Sequence, residues 1–338
     1  MHLRRVALSL AAVVAAAGCR DSRRPSADAS GRGSLTIAVI PKGTSHEYWK
    51  SIHAGAVKAA RELTAQGTPV TLVWKGPLRE DDREQQVQVV ESFLSQGVQG
   101  IVLAPLDRTA LARPVEEAKA AGIPTLIIDS ALESDAIVSF VATDNRRGGA
   151  LAADRLGSLL GGHGRVAMLR YQEGSASTTE REEGFLAEMR SKYPQVEIVS
   201  ADQYSGPTRD TAKRASENLL DRFRDRIDGV FTPNESATVG MLLALQDAGR
   251  AGKIRFVGFD AGETLLAALH AGQLDGLAVQ NPMRMGYLGV RTLVEHLQGK
   301  PVQSRVETGV TLVTKENVDD PAIAEIVNPP LATYLDGQ

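Results

Sequence analysis

The feature that most constrains the fold is an alternation that begins at Leu35, in which short apolar runs are separated by longer amphipathic stretches. The apolar runs predict strands at 35–40, 70–74, 100–104, 124–129, 139–143, 165–170, 196–201, 228–232, 254–260 and 275–280. The stretches between them predict helices, and a final helix over 283–299 precedes a last strand over 308–314. Strands that alternate with helices are typical of a parallel sheet covered by helices.

The alternation of strands and helices begins again after Asp144, so the ten strands before the final helix form two sets of five. A chain of 338 residues is long enough for two cores. Two sets of strands with their own helices favour two domains over one oversized sheet. The sequence therefore predicts the α/β class, with two similar doubly wound parallel-sheet domains.

The N-terminus has the layout of an export signal. A basic start at Arg4 and Arg5 precedes an apolar run over 6–17, which is followed by Gly18 and Cys19. The run is too short to cross a hydrocarbon layer about 30 Å thick at about 1.5 Å per residue. We therefore predict a signal peptide over 1–19 and a flexible, polar tether over 20–34.

Cys19, the single cysteine of the chain, follows small residues in a pattern that resembles the lipobox of bacterial lipoproteins. In a lipobox the cysteine is acylated and becomes the new N-terminus. Ala16 stands where leucine is expected. The sequence thus predicts lipidation at Cys19, and the alternative is ordinary cleavage in which Cys19 has no part.

Composition and motifs exclude several function classes. The formal net charge is only -3 and no basic run follows the N-terminus, so the electrostatic footprint of a nucleic-acid binder is missing. One cysteine excludes a disulfide framework, and the six histidines show no metal-ligand spacing. Neither G-x-G-x-x-G after a strand nor G-x-S-x-G occurs. We predict no cofactor, no metal and no catalysis.

Polar and aromatic side chains follow the predicted strands, where ligands of open α/β sheets bind. They are His46, Tyr48, Trp49, Asp129, Ser130, Arg181, Asn234, Asp260 and Gln280. Carboxylates, amides and a guanidinium read hydroxyl groups, and the C–H faces of a sugar ring pack on aromatic rings. The set predicts a pocket for a neutral polyhydroxylated molecule.

Helix capping is the alternative for three of these positions. Asn234 and Asp260 precede predicted helices, where an N-cap is worth about 1 kcal/mol. Ser130 followed by Glu133 resembles a capping box, and Asp129 fits a local turn.

Gln280 differs from these residues because Asn281 and Pro282 already supply an N-cap and a first helical position. Gln280 is left without a capping task, and a pocket role is favoured.

Arg181 lies among glutamates, so a solvated charge cluster is its alternative role. Ser177 and Glu180 match a capping box, which places Arg181 in the first turn of a helix. Phe185 and Met189 continue the same helical face. This position favours an Arg that faces the site.

Tyr48 and Trp49 form the other ambiguous pair. Thr44 and Glu47 match a capping box, which would start a helix at Ser45 and put both rings in its first turn. Helical spacing to the inward face makes a core role the alternative. Adjacent residues point about 100° apart on a helix, so one ring can pack while the other faces the ligand.

Several motifs together resemble the periplasmic sugar-binding proteins of the ribose-binding type, whose ligand module is shared with LacI-type repressors. They are SHEYW, IIDS, FVATDN, GSASTTEREEGF, FTPNESATVGMLLALQDAG, IRFVGFDAG and GLAVQNP, and the resemblance covers 35–316. It implies a type I periplasmic-binding-protein-like fold with a three-segment hinge. The implied N-terminal lobe is 35–143 plus 281–309, and the C-terminal lobe is 144–280 plus 310–316. Residues 317–338 are an additional tail.

The resemblance also implies roles for individual residues. Tyr48 and Trp49 match the aromatic pair that stacks on the sugar, and His46 stands where asparagine is common. The residues that match the polar ligand contacts are Asp129, Arg181, Asn234, Asp260 and Gln280. Three positions depart from the pattern. Ser130 stands where the sugar-binding proteins often have an arginine, and no residue clearly matches their further aromatic, for which Tyr204 is our candidate. Lys42 favours an anionic ligand.

The expected function is that of an exported, lipid-anchored receptor in the periplasm or cell envelope. It captures a monosaccharide or polyol and presents it to an ABC permease. A receptor that feeds a membrane sensor remains an alternative, as does a binder of an anionic or phosphorylated ligand. A repressor would need a DNA-binding helix-turn-helix ahead of the module, where this chain has a signal instead.

Overall fold

Two mostly parallel sheets carry the fold of residues 33–336, which the computed structural model describes. The strands are β1 (Leu35–Ile40), β2 (Val70–Trp74), β3 (Gly100–Leu103), β4 (Thr125–Ile128), β5 (Phe140–Ala142), β6 (Gly164–Arg170), β7 (Val196–Tyr204), β8 (Gly229–Phe231), β9 (Arg255–Phe259), β10 (Gly276–Gln280), β11 (Arg305–Glu307) and β12 (Val310–Val313). The helices are α1 (Glu47–Ala65), α2 (Arg83–Gln96), α3 (Ala112–Ala120), α4 (Asn145–Leu159), α5 (Ala176–Lys192), α6 (Arg209–Phe223), α7 (Glu235–Asp247), α8 (Glu263–His270), α9 (Pro282–Leu297), α10 (Pro321–Val327) and α11 (Leu331–Leu335).

The strand order is β11-β5-β4-β3-β1-β2 in the first sheet and β12-β10-β9-β8-β6-β7 in the second. All pairs are parallel except β10 with β12. The chain passes from one sheet to the other after β5, after β10 and between β11 and β12. The predicted fold class is thereby confirmed, while the domain boundaries given above remain a prediction.

The end of the chain differs from the sequence prediction. The last strand predicted over 308–314 is present as β12, but the sequence prediction missed β11, which precedes it and joins the first sheet. Gly309, with φ of 87°, makes the turn between them. The tail contains α10 and α11. From Ser34 onward the chain forms one compact unit.

The predictions for the N-terminus cannot be compared with the structure. The signal peptide, Cys19 and nearly all of the predicted tether lie outside the described residues. Within residues 33–336, no helix combines the length and the apolar character needed to cross a membrane.

Each sheet is buried on both faces, which explains why its strands are apolar runs without alternation. On the first sheet, α1 and α9 cover one face, and α2 and α3 cover the other. On the second sheet, α4 and α5 cover one face, and α6, α7 and α8 cover the other. Because parallel strands end at the same edge of a sheet, this arrangement brings the loops after β1, β4, β6, β8 and β9 together.

Gly149 allows α4 to lie directly against α5, the helix that carries Arg181. A Cβ at Gly149 would lie 1.9 Å from the backbone oxygen of Arg181, so the two helix backbones could not keep their present distance. We expect Gly149→Ala to lower the free energy of unfolding by ~1–3 kcal/mol, because overpacking outweighs the helix propensity of alanine. Urea unfolding measures this change.

Gly276→Ala is the matched control, since its added Cβ would come no nearer than 3.3 Å to a neighbouring atom. An unfolding free energy of Gly149→Ala equal to or above that of the wild type would contradict the close packing of α4 on α5.

Candidate functional site

A buried cavity of about 30 Å³ lies where the carboxyl ends of the two sheets face each other. The side chains that line it come from both sheets. They are Lys42, His46, Tyr48, Trp49, Glu80, Asp129, Tyr171, Ser177, Thr178, Arg181, Asn234, Glu235, Asp260 and Gln280. The structure therefore brings together most of the residues predicted from the sequence, including Lys42.

Two predicted residues do not line the cavity. Ser130 is fully buried, and its Oγ accepts a hydrogen bond from the backbone N–H of Ser177 at 3.0 Å. Tyr204, our candidate for the further aromatic, is not among the lining residues. Tyr204 is 41% exposed, because β7 is the edge strand of its sheet and continues to this residue.

The sequence reasoning missed five lining residues: Glu80, Tyr171, Ser177, Thr178 and Glu235. Tyr171 directly follows β6, so the rule that ligand residues follow strands could have found it. Glu80 lies in a loop beside Asp81 and Asp82, and this acidic sequence gives no sign of a buried carboxylate.

Asp129 and Asp260 occupy equivalent positions, directly after β4 and β9. Both have left-handed backbones, with φ of 64° and 68° respectively. Such a conformation is uncommon for residues other than glycine and costs of order 1–3 kcal/mol. A strained conformation at the same point in both sheets makes these two carboxylates candidates for a functional role.

Asp129 is paired with a cation and a phenol. Its Oδ2 lies 2.8 Å from Lys42 Nζ, and its Oδ1 accepts a hydrogen bond from Tyr48 Oη at 2.9 Å. Lys42 Nζ also donates to Ser177 Oγ at 3.1 Å. Lys42 follows β1 and Ser177 belongs to α5, so this ammonium links the two halves of the cavity.

Asp129 does lie in a tight backbone turn, in which the Ser130 N–H donates to the Ile128 oxygen at 2.7 Å. The capping box of Ser130 with Glu133 is not observed, because the Glu133 N–H donates to the Arg108 oxygen.

Asp260 contacts a helix N-terminus other than the one that follows it. Its Oδ2 accepts from the backbone N–H of Glu235 at 3.1 Å, and its Oδ1 accepts from Gln280 Nε2 at 2.8 Å. The N-cap of the helix that follows it is Gly262. Burial raises the pKa of Asp260 to about 6, although nearby Arg181 acts in the opposite direction. Gln280 has no capping role, since Asn281 caps α9 as predicted.

Arg181 is buried, which rules out the solvated cluster as its environment. Its Nε donates to Asn145 Oδ1 at 2.9 Å and its Nη1 donates to the Pro233 oxygen at 3.0 Å. The guanidinium lies 4.1 Å from the centre of the Phe259 ring and 4.0 Å from Asp260 Oδ2. These contacts fix its plane. The predicted capping box at Ser177 is wrong, because Ser175 is the N-cap of α5.

Asn234 is the N-cap residue of α7, but its side chain does not cap the helix. Its Nδ2 donates to Ser236 Oγ at 3.0 Å. Asn234 Oδ1 and Glu235 Oε2 are buried acceptors without a hydrogen-bond partner among the described residues. Buried acceptors are nearly always paired in folded proteins, so two such atoms at one cavity suit a ligand that donates hydrogen bonds.

Tyr48 and Trp49 are perpendicular, with ring centres 5.1 Å apart. Trp49 is buried in the core beneath the first sheet, whereas Tyr48 is half-buried, and both line the cavity. The predicted capping box at Thr44 is wrong, because α1 begins at Glu47 and its N-cap is His46. Thr44 Oγ1 instead donates to the Pro77 oxygen at 3.4 Å.

Glu80 is the centre of a buried hydrogen-bond network. It lies 2.7 Å from His46 Nδ1 and accepts from Trp49 Nε1 and Tyr171 Oη, each at 2.7 Å. Burial alone would raise the pKa of Glu80. The hydrogen bond and the charge of His46 outweigh burial, with smaller contributions from Lys42 and Trp49, and lower the pKa to about 2. For His46, burial acts to lower the pKa and Glu80 overcomes it, so the pKa is raised.

These pKa shifts predict how stability depends on pH. The pKa of Glu80 falls from 4.5 to about 2 on folding, so its contribution is complete above pH 4.5 and is lost as the pH falls through 2. That contribution is of order 3 kcal/mol. The stability that His46 contributes has the opposite sign: it is complete below pH 6.5 and is lost as the pH rises through the raised pKa.

We expect the difference in unfolding free energy between the wild type and Glu80→Gln to shrink as the pH is lowered from 5 to 3. Urea unfolding at several pH values measures it. Glu84→Gln changes an exposed glutamate in the first turn of α2 and is the control. If the difference in unfolding free energy does not change with pH, Glu80 is not a buried carboxylate whose pKa is lowered by folding.

The charges of the cavity are balanced locally. Lys42 faces Asp129, Arg181 lies near Asp260, and His46 faces Glu80. The fourth carboxylate, Glu235, pairs with Arg209, which does not line the cavity. No group of three or more His, Cys, Asp or Glu is arranged to hold a metal ion within residues 33–336. The arrangement suits an uncharged ligand with several hydroxyl groups.

Comparison with known proteins gives consistent matches. The model of the family described as "Periplasmic binding protein domain" matches residues 37–301. The xylitol-binding protein of Mycolicibacterium smegmatis is 30% identical over 280 residues, which are 83% of this chain and 78% of that protein. The ribose import binding protein RbsB of Bacillus subtilis is 29% identical over 284 residues, which cover 83% and 88% of the two chains.

A solved structure shares the fold over nearly the whole length. The carbohydrate transporter solute binding protein from Agrobacterium radiobacter, in complex with D-arabinose, has a TM-score of 0.82 and 33% identity. The match covers 88% of this chain and 100% of that one.

Proposed function

Because this chain belongs to the family of periplasmic binding protein domains, we propose that it is a solute-binding receptor of an ABC sugar transporter. It captures a monosaccharide or a related polyol between its two domains. Relatives that carry the names of xylitol- and ribose-binding proteins, and a structural neighbour in complex with D-arabinose, support this class of ligand.

The observation that carries the proposal is the meeting of hydroxyl-reading groups from both domains at one cavity. Asp129 comes from the first sheet, and Asp260 and Arg181 come from the second sheet and its helices. Two buried acceptors, Asn234 Oδ1 and Glu235 Oε2, remain for ligand hydroxyls. Carboxylates and amides that converge in this way read the hydroxyl groups of a sugar from two sides.

The charge balance favours a neutral ligand over an anionic or phosphorylated one. Lys42 is the residue that would attract an anion, but its ammonium is already 2.8 Å from the Asp129 carboxylate. An anion would have to compete with that carboxylate in a buried site. Sugar phosphates are therefore expected to bind more weakly than the corresponding sugars.

Ligand entry requires the two domains to separate. The cavity of about 30 Å³ is well below the roughly 300–1,000 Å³ of ligand pockets. Contacts from Lys42 to Ser177 and from Ser177 to Ser130 join the two halves and would break on opening. We assign 35–143 with 281–309 to one moving lobe and 144–280 with 310–316 to the other. Closure then follows a hinge motion.

Export and anchoring form a second part of the proposal. The family is one of periplasmic proteins, and the first 19 residues suit a signal with an acylated cysteine. We place the chain in the periplasm or cell envelope, attached through Cys19. Cys19→Ala should move the protein from the membrane fraction to the soluble fraction, and unchanged partition would contradict the anchor.

The cavity is assigned to binding, with no reaction on the ligand. The output is delivery of the closed form to a permease, which is consistent with the words import and transporter in the names of the similar proteins. A membrane sensor is the alternative recipient.

A thermal-shift screen tests the ligand class. The chain from residue 20 onward is screened against D-ribose, D-arabinose, D-allose, D-fucose, xylitol and sugar phosphates. A ligand present at 100 times its dissociation constant adds about 2.7 kcal/mol to the free energy of unfolding. We expect a neutral sugar or polyol to give the largest shift. If only sugar phosphates stabilise the protein, the proposal of a neutral ligand is contradicted. If no compound of the panel stabilises it, the proposal of a sugar or polyol ligand is contradicted.

A further inference from the structure

A second cavity, which we call the outer chamber, adjoins the site and has a volume of about 320 Å³. It shares Tyr48, Asp260 and Gln280 with the inner cavity, so these three side chains form the wall between the two spaces. The other lining residues come from α1, β10, the start of α9, the loop that leads into α8, and the C-terminal tail.

The tail is a wall of this chamber while the two domains are closed. Ile323 and Val327 of α10 are buried in the core of the second sheet. On the other side, α11 lies against α1, where Arg61 donates from Nη1 to the Thr333 oxygen at 2.8 Å and from Nη2 to the Tyr334 oxygen at 3.1 Å. Anchoring at both ends holds residues 326–331 over the space beside the site.

The two cavities differ in size and chemistry. The outer chamber falls within the roughly 300–1,000 Å³ of ligand pockets, whereas the inner cavity is far smaller. The inner cavity is lined by paired charges that read hydroxyls. In the outer chamber the tail contributes the apolar side chains of Ile326, Val327 and Leu331. Lys50 and Glu263 are exposed at its edge, and the Glu47 carboxylate lies 3.9 Å from Arg209. Such a lining suits an uncharged group with an apolar face.

We propose that the outer chamber binds the substituent of a glycoside whose hydroxylated ring is held in the inner site. The substituent is an alkyl or aryl group or a second sugar ring, and it passes beside Tyr48 and Gln280. The inference rests on the proposed function, because it requires that the inner site hold a sugar. It gives the tail a direct part in ligand selection.

The test compares free sugars with their glycosides. Calorimetric titration of the chain from residue 20 onward uses D-ribose, D-arabinose, D-allose and D-fucose, with the methyl and phenyl glycosides and one disaccharide of each. For the best sugar, we expect at least one glycoside to bind within threefold of the free sugar, or more tightly. The type of substituent that binds distinguishes an alkyl or aryl group from a second ring.

A variant that fills the chamber separates this inference from the proposed function. Leu331→Trp puts a large ring into the chamber from α11, and we expect it to weaken glycoside binding at least tenfold while free-sugar binding stays within twofold. Ala332→Trp, at the next and exposed position of α11, is the matched control. Ile326→Trp fills the chamber from α10 and repeats the test if Leu331→Trp does not fold.

Three results would overturn the inference. If free sugars bind but every glycoside binds more than threefold more weakly, the chamber accepts no substituent. If the filling variants leave glycoside binding unchanged, or weaken free sugar and glycoside equally, the substituent lies elsewhere. If neither sugars nor glycosides bind, the proposed function fails together with this inference.

Discussion

Replacement of Arg181 with alanine is expected to weaken sugar binding at least ~100-fold, which corresponds to about 2.7 kcal/mol. The guanidinium is held by Asn145, Pro233 and the Phe259 ring, so it presents its remaining donors in a fixed direction. Hydrogen bonds that involve a charged group contribute about 1.5–3 kcal/mol each. Loss of two such bonds to ligand hydroxyls accounts for the effect, and calorimetric titration measures it.

The same replacement is expected to lower the free energy of unfolding by ~2–4 kcal/mol, because Asn145 Oδ1 and the Pro233 oxygen lose their donor inside the protein. Titration at low temperature keeps the variant folded while binding is measured. Arg146→Ala removes an exposed arginine of α4, paired with Glu183, and is the control. Binding of sugar to Arg181→Ala with unchanged affinity would show that Arg181 has only a structural role.

Lys42→Met is expected to lower the free energy of unfolding by ~3–5 kcal/mol, since it leaves the Asp129 carboxylate buried without its cation. Asp129→Asn is expected to have a similar effect, because Lys42 would then be the unpaired charge. The double variant removes both charges and should recover most of the loss. Chemical unfolding of the four proteins gives the coupling between the two side chains, which we expect to exceed ~2 kcal/mol.

A second pair of residues provides the control for this cycle. Lys58 and Glu62 form an i,i+4 pair on α1 whose side chains are 34% and 37% exposed. Because water screens this pair, Lys58→Met and Glu62→Gln should show a coupling below ~0.5 kcal/mol. Equal coupling in the two cycles would contradict the assignment of Lys42 and Asp129 as a buried ion pair that water does not screen.

The fold was predictable because its main determinant is local. Strands buried on both faces must be apolar throughout, and the amphipathic stretches between them specify helices. The polar residues that end strands, such as Asp129 and Asp260, could be located by the same reasoning. The structure adds that both have left-handed backbones, which the sequence does not indicate.

The failures occurred where a side chain has a distant partner. Ser177 and Ser130 fit local capping boxes, but the Ser177 hydroxyl accepts from Lys42, 135 residues away, and the Ser130 hydroxyl accepts from the Ser177 backbone. Glu80 likewise pairs with Tyr171, at a separation of 91 residues. No local pattern encodes such partners. Tyr204 does not line the cavity because it is the last residue of the edge strand β7 and is exposed, and the sequence does not indicate how far this strand extends.

The tail was the least predictable segment. Its two helices, Pro321–Val327 and Leu331–Leu335, are too short to show a helical period in the sequence. Their positions depend on packing against the second sheet and on Arg61 of α1.

Calorimetric titration of the chain from residue 20 onward with the strongest neutral hit of the sugar panel tests the central claim most directly. We predict one bound sugar per chain, with affinity lost in Arg181→Ala and retained in Arg146→Ala. Absence of binding by every neutral sugar and polyol, or binding that Arg181→Ala leaves unchanged, would contradict the assignment of this cavity as a sugar site.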